Sequence, residues 1–213
     1  MARSDVARTA LLDTAERLFA EQGIAQVSDR RVAEVAGNTN HSAVRYYFGG
    51  RDGLLRALVE RHVRAVEACG ARHGETVDSV IGDIRGLVLP SMEVLAALPR
   101  PSWRARFIGL ALQDPALRDL VRDALAGLPV TVALRRSLKA RLAHLDPGVV
   151  AGRSSMIAFI VTTATAEIEA RAERDGTEPR WIEAGDFLSD AIAGMLSAPV
   201  TKPGSRSPLA EAH

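Results

Sequence analysis

Apolar residues recur along this chain at helical spacing. Ala7, Leu11, Leu12, Ala15, Leu18 and Phe19 form one stripe, and Gly23 follows as a stop. Ser28 is placed to cap a short second helix, Asp29 to Ala36, with Val32, Val35 and Ala36 inward and Gly37 ending it. A third short helix is predicted over about His41 to Tyr47, with Thr39 or Asn40 as its cap. After Gly49-Gly50 a longer helix fits Arg51 to about Cys69, with Leu54, Leu55, Leu58, His62 and Val63 inward. The stripe Val77, Ile81, Ile84, Val88, Met92 and Leu95 predicts another, which Pro90 is expected to kink or divide. Ser102 to Leu112 reads as helix again. Asp114-Pro115 and Asp146-Pro147 each join a cap to a first-turn proline. The first opens a segment to about Leu145, broken near Gly127 and Pro129; the second opens a helix to about Asp175, stopped by Gly176. A last helix fits about Arg180 to Ser197. No strand alternation longer than a few residues interrupts this series, so the pattern predicts an all-α protein.

Composition narrows the class. At 213 residues, 47% hydrophobic and 25% charged, the chain can bury a substantial core. A formal net charge of +1 excludes a strongly basic coat but leaves room for a local basic patch. Cys69 is the single cysteine, so a disulfide scaffold is excluded. The charged start, with Arg3, Asp5 and Arg8, lacks the apolar stretch of a signal peptide. The uncharged run Ser154 to Ala166 is too short to span a bilayer. The expectation is a cytoplasmic protein without membrane association. Only Lys139 and Lys202 are lysines among 27 basic residues, and arginine suits bidentate recognition of phosphates and guanine edges.

Ser28 to Phe48 is the informative stretch. Two short helices joined by a tight turn need a small residue where they cross and a turn residue tolerant of positive φ; Ala33 and Gly37 meet both demands. On the second of them Val44, Tyr47 and Phe48 share one side, which would anchor it on the first long helix. Ser42 and Tyr46 lie opposite, with Arg45 on the flank. A hydroxyl, a phenol and a guanidinium on one outward face can read base edges or phosphates in a major groove, although three polar residues on a surface helix are usually no more than solvated.

From Ala7 to His62 the chain resembles the N-terminal DNA-binding domain of the TetR family of transcriptional regulators. The motifs that carry the likeness are Ala15-Glu16-Arg17-Leu18-Phe19, Glu21-Gln22-Gly23, Val32-Ala33, Val35-Ala36-Gly37, Tyr47-Phe48 and Arg51-Asp52-Gly53-Leu54-Leu55. The resemblance implies a three-helix helix-turn-helix head, placed at 1–50, and a larger helical effector-binding and dimerisation domain, placed at 51–198; the tail at 199–213, with Pro199, Pro203, Gly204 and Pro208, is expected to be disordered. With the outward face of the third helix, the expected DNA contacts are Ser28, Arg30, Thr39, Asn40, Ser42, Arg45, Tyr46, Tyr47 and Arg51, of which the resemblance implies Ser28, Thr39, Tyr47 and Arg51. Ser28 matches the family's helix cap, Tyr47 its aromatic before the closing phenylalanine, and Arg51 the basic residue opening the fourth helix, a setting that suits a phosphate. The stretch between Gly37 and Tyr47 is one residue longer than the commoner family pattern. Arg45 stands where a tyrosine is frequent, and Asn38 where an apolar residue is. To His62 the chain carries nine arginines against eight acids, so the placement of arginines matters more than net charge.

Beyond the head, Ser154 to Ala166 has no obvious solvent face, and the last helix carries more than one apolar stripe. These two helices are expected to pair with symmetry mates in a four-helix bundle, through Ala158, Thr162, Thr165, Phe187, Leu188, Ile192 and Met195. The alternative is that both are central helices of a monomer. An apolar effector pocket is expected around Met92, Trp103, Arg106, Phe107 and Gln113, although Trp103 and Phe107 at i, i+4 also suit a plain core. His62, Cys69 and His73 fall on one stripe and raise a metal-sensor alternative, which the intervening glycines weaken; no metal and no cofactor is expected. No P-loop, H-E-x-x-H or dinucleotide fingerprint supports the other alternative, an enzyme on a helical scaffold. The expected function is a non-enzymatic, ligand-responsive repressor that binds a pseudo-palindromic operator in double-stranded DNA as a homodimer and is released by a small molecule.

Overall fold

A computed structural model describes residues 3–72 and 78–201. Ten α-helices follow one another among them, without a strand: α1 (Arg3–Gln22), α2 (Asp29–Val35), α3 (Ala43–Phe48), α4 (Arg51–Gly70), α5 (Val80–Ala96), α6 (Arg104–Gln113), α7 (Pro115–Ala126), α8 (Pro129–Arg141), α9 (Pro147–Asp175) and α10 (Trp181–Ser197). The punctuation works as its chemistry suggests. Asp114 Oδ1 accepts from the Ala116 N–H at 2.8 Å, and Asp146 Oδ1 from the Gly148 N–H at 2.9 Å, so both Asp-Pro pairs open helices. Gly23 and Gly176 hold positive φ at helix ends. Pro90 does not divide its helix. α5 continues through it because Ile84, Val88, Met92 and Leu95 are all buried along one side, and that burial outweighs one lost hydrogen bond. His73 and most of the tail, 202–213, lie outside the described residues.

The chain forms two compact units, neither of them a continuous stretch. The first comprises Met1–Arg64, Pro99–Ala124 and Thr165–Thr177. In its core α1 packs on α2 and on α6, burying Leu11, Ala15, Leu18 and Phe19 with Val32, Leu54, Leu58 and Phe107. The Phe19 and Phe107 rings lie 6.1 Å apart. Glu169, itself buried, caps the start of α6: it accepts from the Ser102 hydroxyl at 2.7 Å and from the Arg106 N–H at 2.9 Å.

The second unit comprises Ala65–Leu98, Leu125–Ala164 and Glu178–His213. Here α5 packs against α10 and α8. Gly185 permits the close approach of α10, since a Cβ there would stand 2.8 Å from both Leu89 and Met92 side-chain carbons. Arg141 binds Asp83 at 2.9 Å and also Asp78, and Arg153 gathers the carbonyls of Leu196 and Ala198 beyond the end of α10. α9 holds an 18-residue window of mean hydropathy 1.4 that is only 11% buried. By length and composition it could cross a membrane, a measure that the shorter uncharged run had concealed.

Candidate nucleic-acid interface

The site is built on a helix, a turn and a helix. Ser28 caps α2 by accepting from the Arg31 N–H at 3.1 Å. Gly37 turns the chain at φ +73, and the Asn38 N–H returns to the Ala33 carbonyl at 2.9 Å. The longer connection is then folded by Asn40, whose Oδ1 accepts from the Ser42 N–H at 2.9 Å and whose carbonyl accepts from Ala43 at 3.0 Å. This turn absorbs the additional residue, and α3 starts at Ala43, later than the spacing predicted. Gly49 closes α3 in the left-handed region. Gly53 then sits so close behind it that a Cβ would lie 1.7 Å from the Phe48 carbonyl oxygen.

That frame fixes which way α3 faces. Ala43 and Val44 are buried, Tyr47 and Phe48 half-buried, and Arg8 lies over the Phe48 ring at 5.0 Å. Ser42, Arg45 and Tyr46 are exposed, Tyr46 to 77%. The Tyr46 ring meets Tyr47 edge-on at 4.9 Å between centroids. Ser28, Arg30, Thr39 and Asn40 are also exposed on α2 and the turn. Glu34 and His41, which were not expected at this surface, stand among them. The Arg30 Nε donates to Glu34 Oε1 at 2.8 Å, and this bond holds the Glu34 carboxyl below its ordinary pKa. His41 Nδ1 lies 3.7 Å from the same oxygen. The i, i+4 spacing of Arg30 and Glu34 was the available signal; His41 gave none.

Arg51 is not placed as a phosphate contact. Its guanidinium donates to the Val27 carbonyl at 2.7 Å and to the Ile24 carbonyl, reaches Asp29 at 3.4 Å, and lies 4.5 Å over the Phe19 ring. Its donors serve the short 3₁₀ turn Ile24–Gln26 and the entrance to α2 instead. Behind the site a buried ion cluster joins three helices: Glu16 accepts from Arg61 at 2.7 Å and from Arg104. His62 is buried beside it with an unpartnered Nδ1, and burial first, then the Arg104 charge, push its pKa down to about 3.

Of the residues expected to line a pocket, Trp103, Arg106, Phe107 and Gln113 belong to the first unit and Met92 to the second. Phe107 is core of the first unit, and Arg106 is engaged by Glu169 and Glu173 there. Gln113 is exposed, and Trp103 carries the Arg17 guanidinium over its ring at 6.0 Å. Met92 is fully buried in the second unit. The interface set divides as well. Leu188 and Ile192 face the interior of their own subunit, and Thr162 and Thr165 are buried, so these four offer little to a partner. Phe187 is 72% exposed, while Ala158 and Met195 are half-buried. The sequence showed that α10 has several apolar stripes but not which one turns inward. Among the described residues no cluster of three or more metal-ligating side chains forms.

Comparison with known proteins agrees with this geometry. Residues 11–58 match the N-terminal domain model described as bacterial regulatory proteins of the TetR family. Over 119 residues the chain is 29% identical to the HTH-type transcriptional regulator BetI of Burkholderia thailandensis. That match takes in 54% of this chain and 60% of the relative's length, so it leaves a large part of both uncompared. A solved structure from Shewanella sp. PV-4, assigned to the TetR family of transcription regulators, superposes with a TM-score of 0.59 at 18% identity. It covers 88% of this chain and 95% of that one. Another, from Rhodococcus sp., gives 0.54 at 20% identity, covering 90% and 99%. At such identities the two structures speak for the fold alone. The likeness to the TetR family of bacterial regulatory proteins is thus carried by residues 11–58, the stretch that holds the helix-turn-helix.

Proposed function

We propose that this protein is a transcriptional regulator that binds a pseudo-palindromic operator as a homodimer and gives it up when a small molecule binds. The observation that carries this reading is the two-sidedness of α3, with Ala43 and Val44 buried and Ser42, Arg45 and Tyr46 turned to solvent. A helix so braced can lie in a major groove while the Ser28 end of α2 and the exposed turn meet the phosphates. In this division of labour residues 1–50 read DNA and residues 51–198 dimerise and respond to the effector. Repression follows if the bound dimer blocks polymerase.

Dimerisation is supported by the second unit. α9 exposes Met156 and Phe159, and α10 exposes Ile182 and Phe187. Large apolar side chains left in water on two neighbouring stretches of sequence favour cover by a second copy. A membrane could cover α9 equally well by hydropathy, but the helix carries Glu167, Glu169, Arg171, Glu173 and Arg174 in its final turns, and Glu169 is already committed to α6. The effector must bind one conformation more tightly than another in order to change operator affinity.

The test is direct. Purified protein is mixed with labelled genomic fragments at physiological salt, and its mass is followed by sedimentation. Retention of a few fragments over a large excess of random DNA, by a species of twice 22.8 kDa, supports the reading. Equal, weak retention of every fragment, or a protein that stays in solution only with detergent, contradicts it.

A further inference from the structure

We propose that Arg45 is the one α3 side chain that identifies a base by paired hydrogen bonds, and that the base is guanine, one in each half-site. This deepens the DNA-binding reading and rests on it. α3 spans Ala43–Phe48 and contains a single guanidinium and no amide side chain. A guanidinium matches the O6 and N7 acceptors of guanine in the major groove, whereas adenine calls for Asn or Gln. The two nearby asparagines are poor substitutes: Asn40 uses its side-chain oxygen on the Ser42 N–H, and Asn38 is half-buried in the turn.

The other arginines around the site are differently engaged. Arg30 is bound to Glu34, Arg51 is spent on backbone carbonyls, and Arg8 lies over the Phe48 ring. Arg45 is exposed and its guanidinium has no hydrogen-bond or ion-pair partner among the described residues, so nothing within the subunit competes with a base for it. Arg31 is exposed too, but it sits on α2, the helix that crosses the backbone in this motif, and so suits a phosphate. Tyr46 presents a ring steadied by its edge contact with Tyr47. Its apolar face adds contact area, as against a thymine methyl, without a second hydrogen-bond code.

The experiment is selection from a random duplex library with the full-length protein and three variants, Arg45→Ala, Arg45→Lys and Arg31→Ala. Wild type enriches sites that carry one guanine at symmetry-related positions of both halves. Arg45→Ala flattens the preference at that position by about tenfold or more and leaves the others in place. Arg45→Lys keeps the charge but loses the fork, so the guanine preference falls while affinity for the phosphate backbone persists. Arg31→Ala weakens binding to all sequences alike and keeps the guanine. Circular dichroism checks that each variant is folded, which the exposure of both residues favours. Retention of the guanine preference by Arg45→Ala overturns this inference and leaves the DNA-binding reading standing. A wild-type protein that enriches no sequence overturns both.

Discussion

Replacing Arg51 separates two roles that the sequence could not. As a phosphate contact it would weaken DNA binding without touching stability. As the strut that the structure describes, holding two backbone carbonyls and a ring, its loss costs fold stability. Arg51→Ala is expected to lower unfolding free energy by about 2–3 kcal/mol, read by urea denaturation. Its partners lie more than twenty residues back in the chain, which is why spacing alone suggested a different use. His62 is a second residue whose role comes from burial. Its ring is neutral in both states above pH 6.5, the ordinary value. Between 6.5 and about 3 only the unfolded chain takes up the proton, so folding stability falls with pH across that window. Wild type is expected to lose about 2 kcal/mol more than His62→Leu between pH 7 and pH 5. Equal losses in the two proteins would contradict a neutral buried ring. The outward set Ser42, Arg45 and Tyr46 was legible because α3 is short and flanked by glycines, so its apolar residues could face only one way.

At the scale of elements the helices were readable because capping chemistry and 3.6-residue stripes are local. What could not be read was tertiary choice. Pro90 reads as a break, yet the packed side of α5 carries the helix through it. The start of α3 moved because Asn40 closed the turn with its own side chain. Gly53, in the motif Arg51-Asp52-Gly53-Leu54-Leu55, is a contact that excludes any side chain, which its place in the sequence did not show. Gly53→Ala therefore tests the α3–α4 junction with an inverted sign. Alanine ordinarily favours a helix over glycine by about 1 kcal/mol. Here the clash with the Phe48 carbonyl is expected to lower stability by more than about 2 kcal/mol, with the thermal midpoint as readout.

For the whole molecule, the proposed function joins a reading head to a dimer. The likeness to the TetR N-terminal domain and the all-helical architecture were legible in motif order and helical stripes, but the surface proposed for a second copy was not, since several stripes on α10 are equally apolar and only folding decides which is spent inside. Phe187, at 72% exposure, is the side chain to change. Phe187→Glu is expected to leave the subunit folded, to sediment at the 22.8 kDa of one chain, and to lose most operator affinity; a stable dimer from this variant would place the interface elsewhere. The central claim, that the outer face of α3 enters the major groove, is tested most directly by hydroxyl-radical footprinting on a selected site. Wild type should protect two patches on one face of the duplex, about one helical turn apart, and a folded Ser42→Ala, Arg45→Ala, Tyr46→Ala triple variant should protect neither. An unchanged footprint from the triple variant would contradict the account.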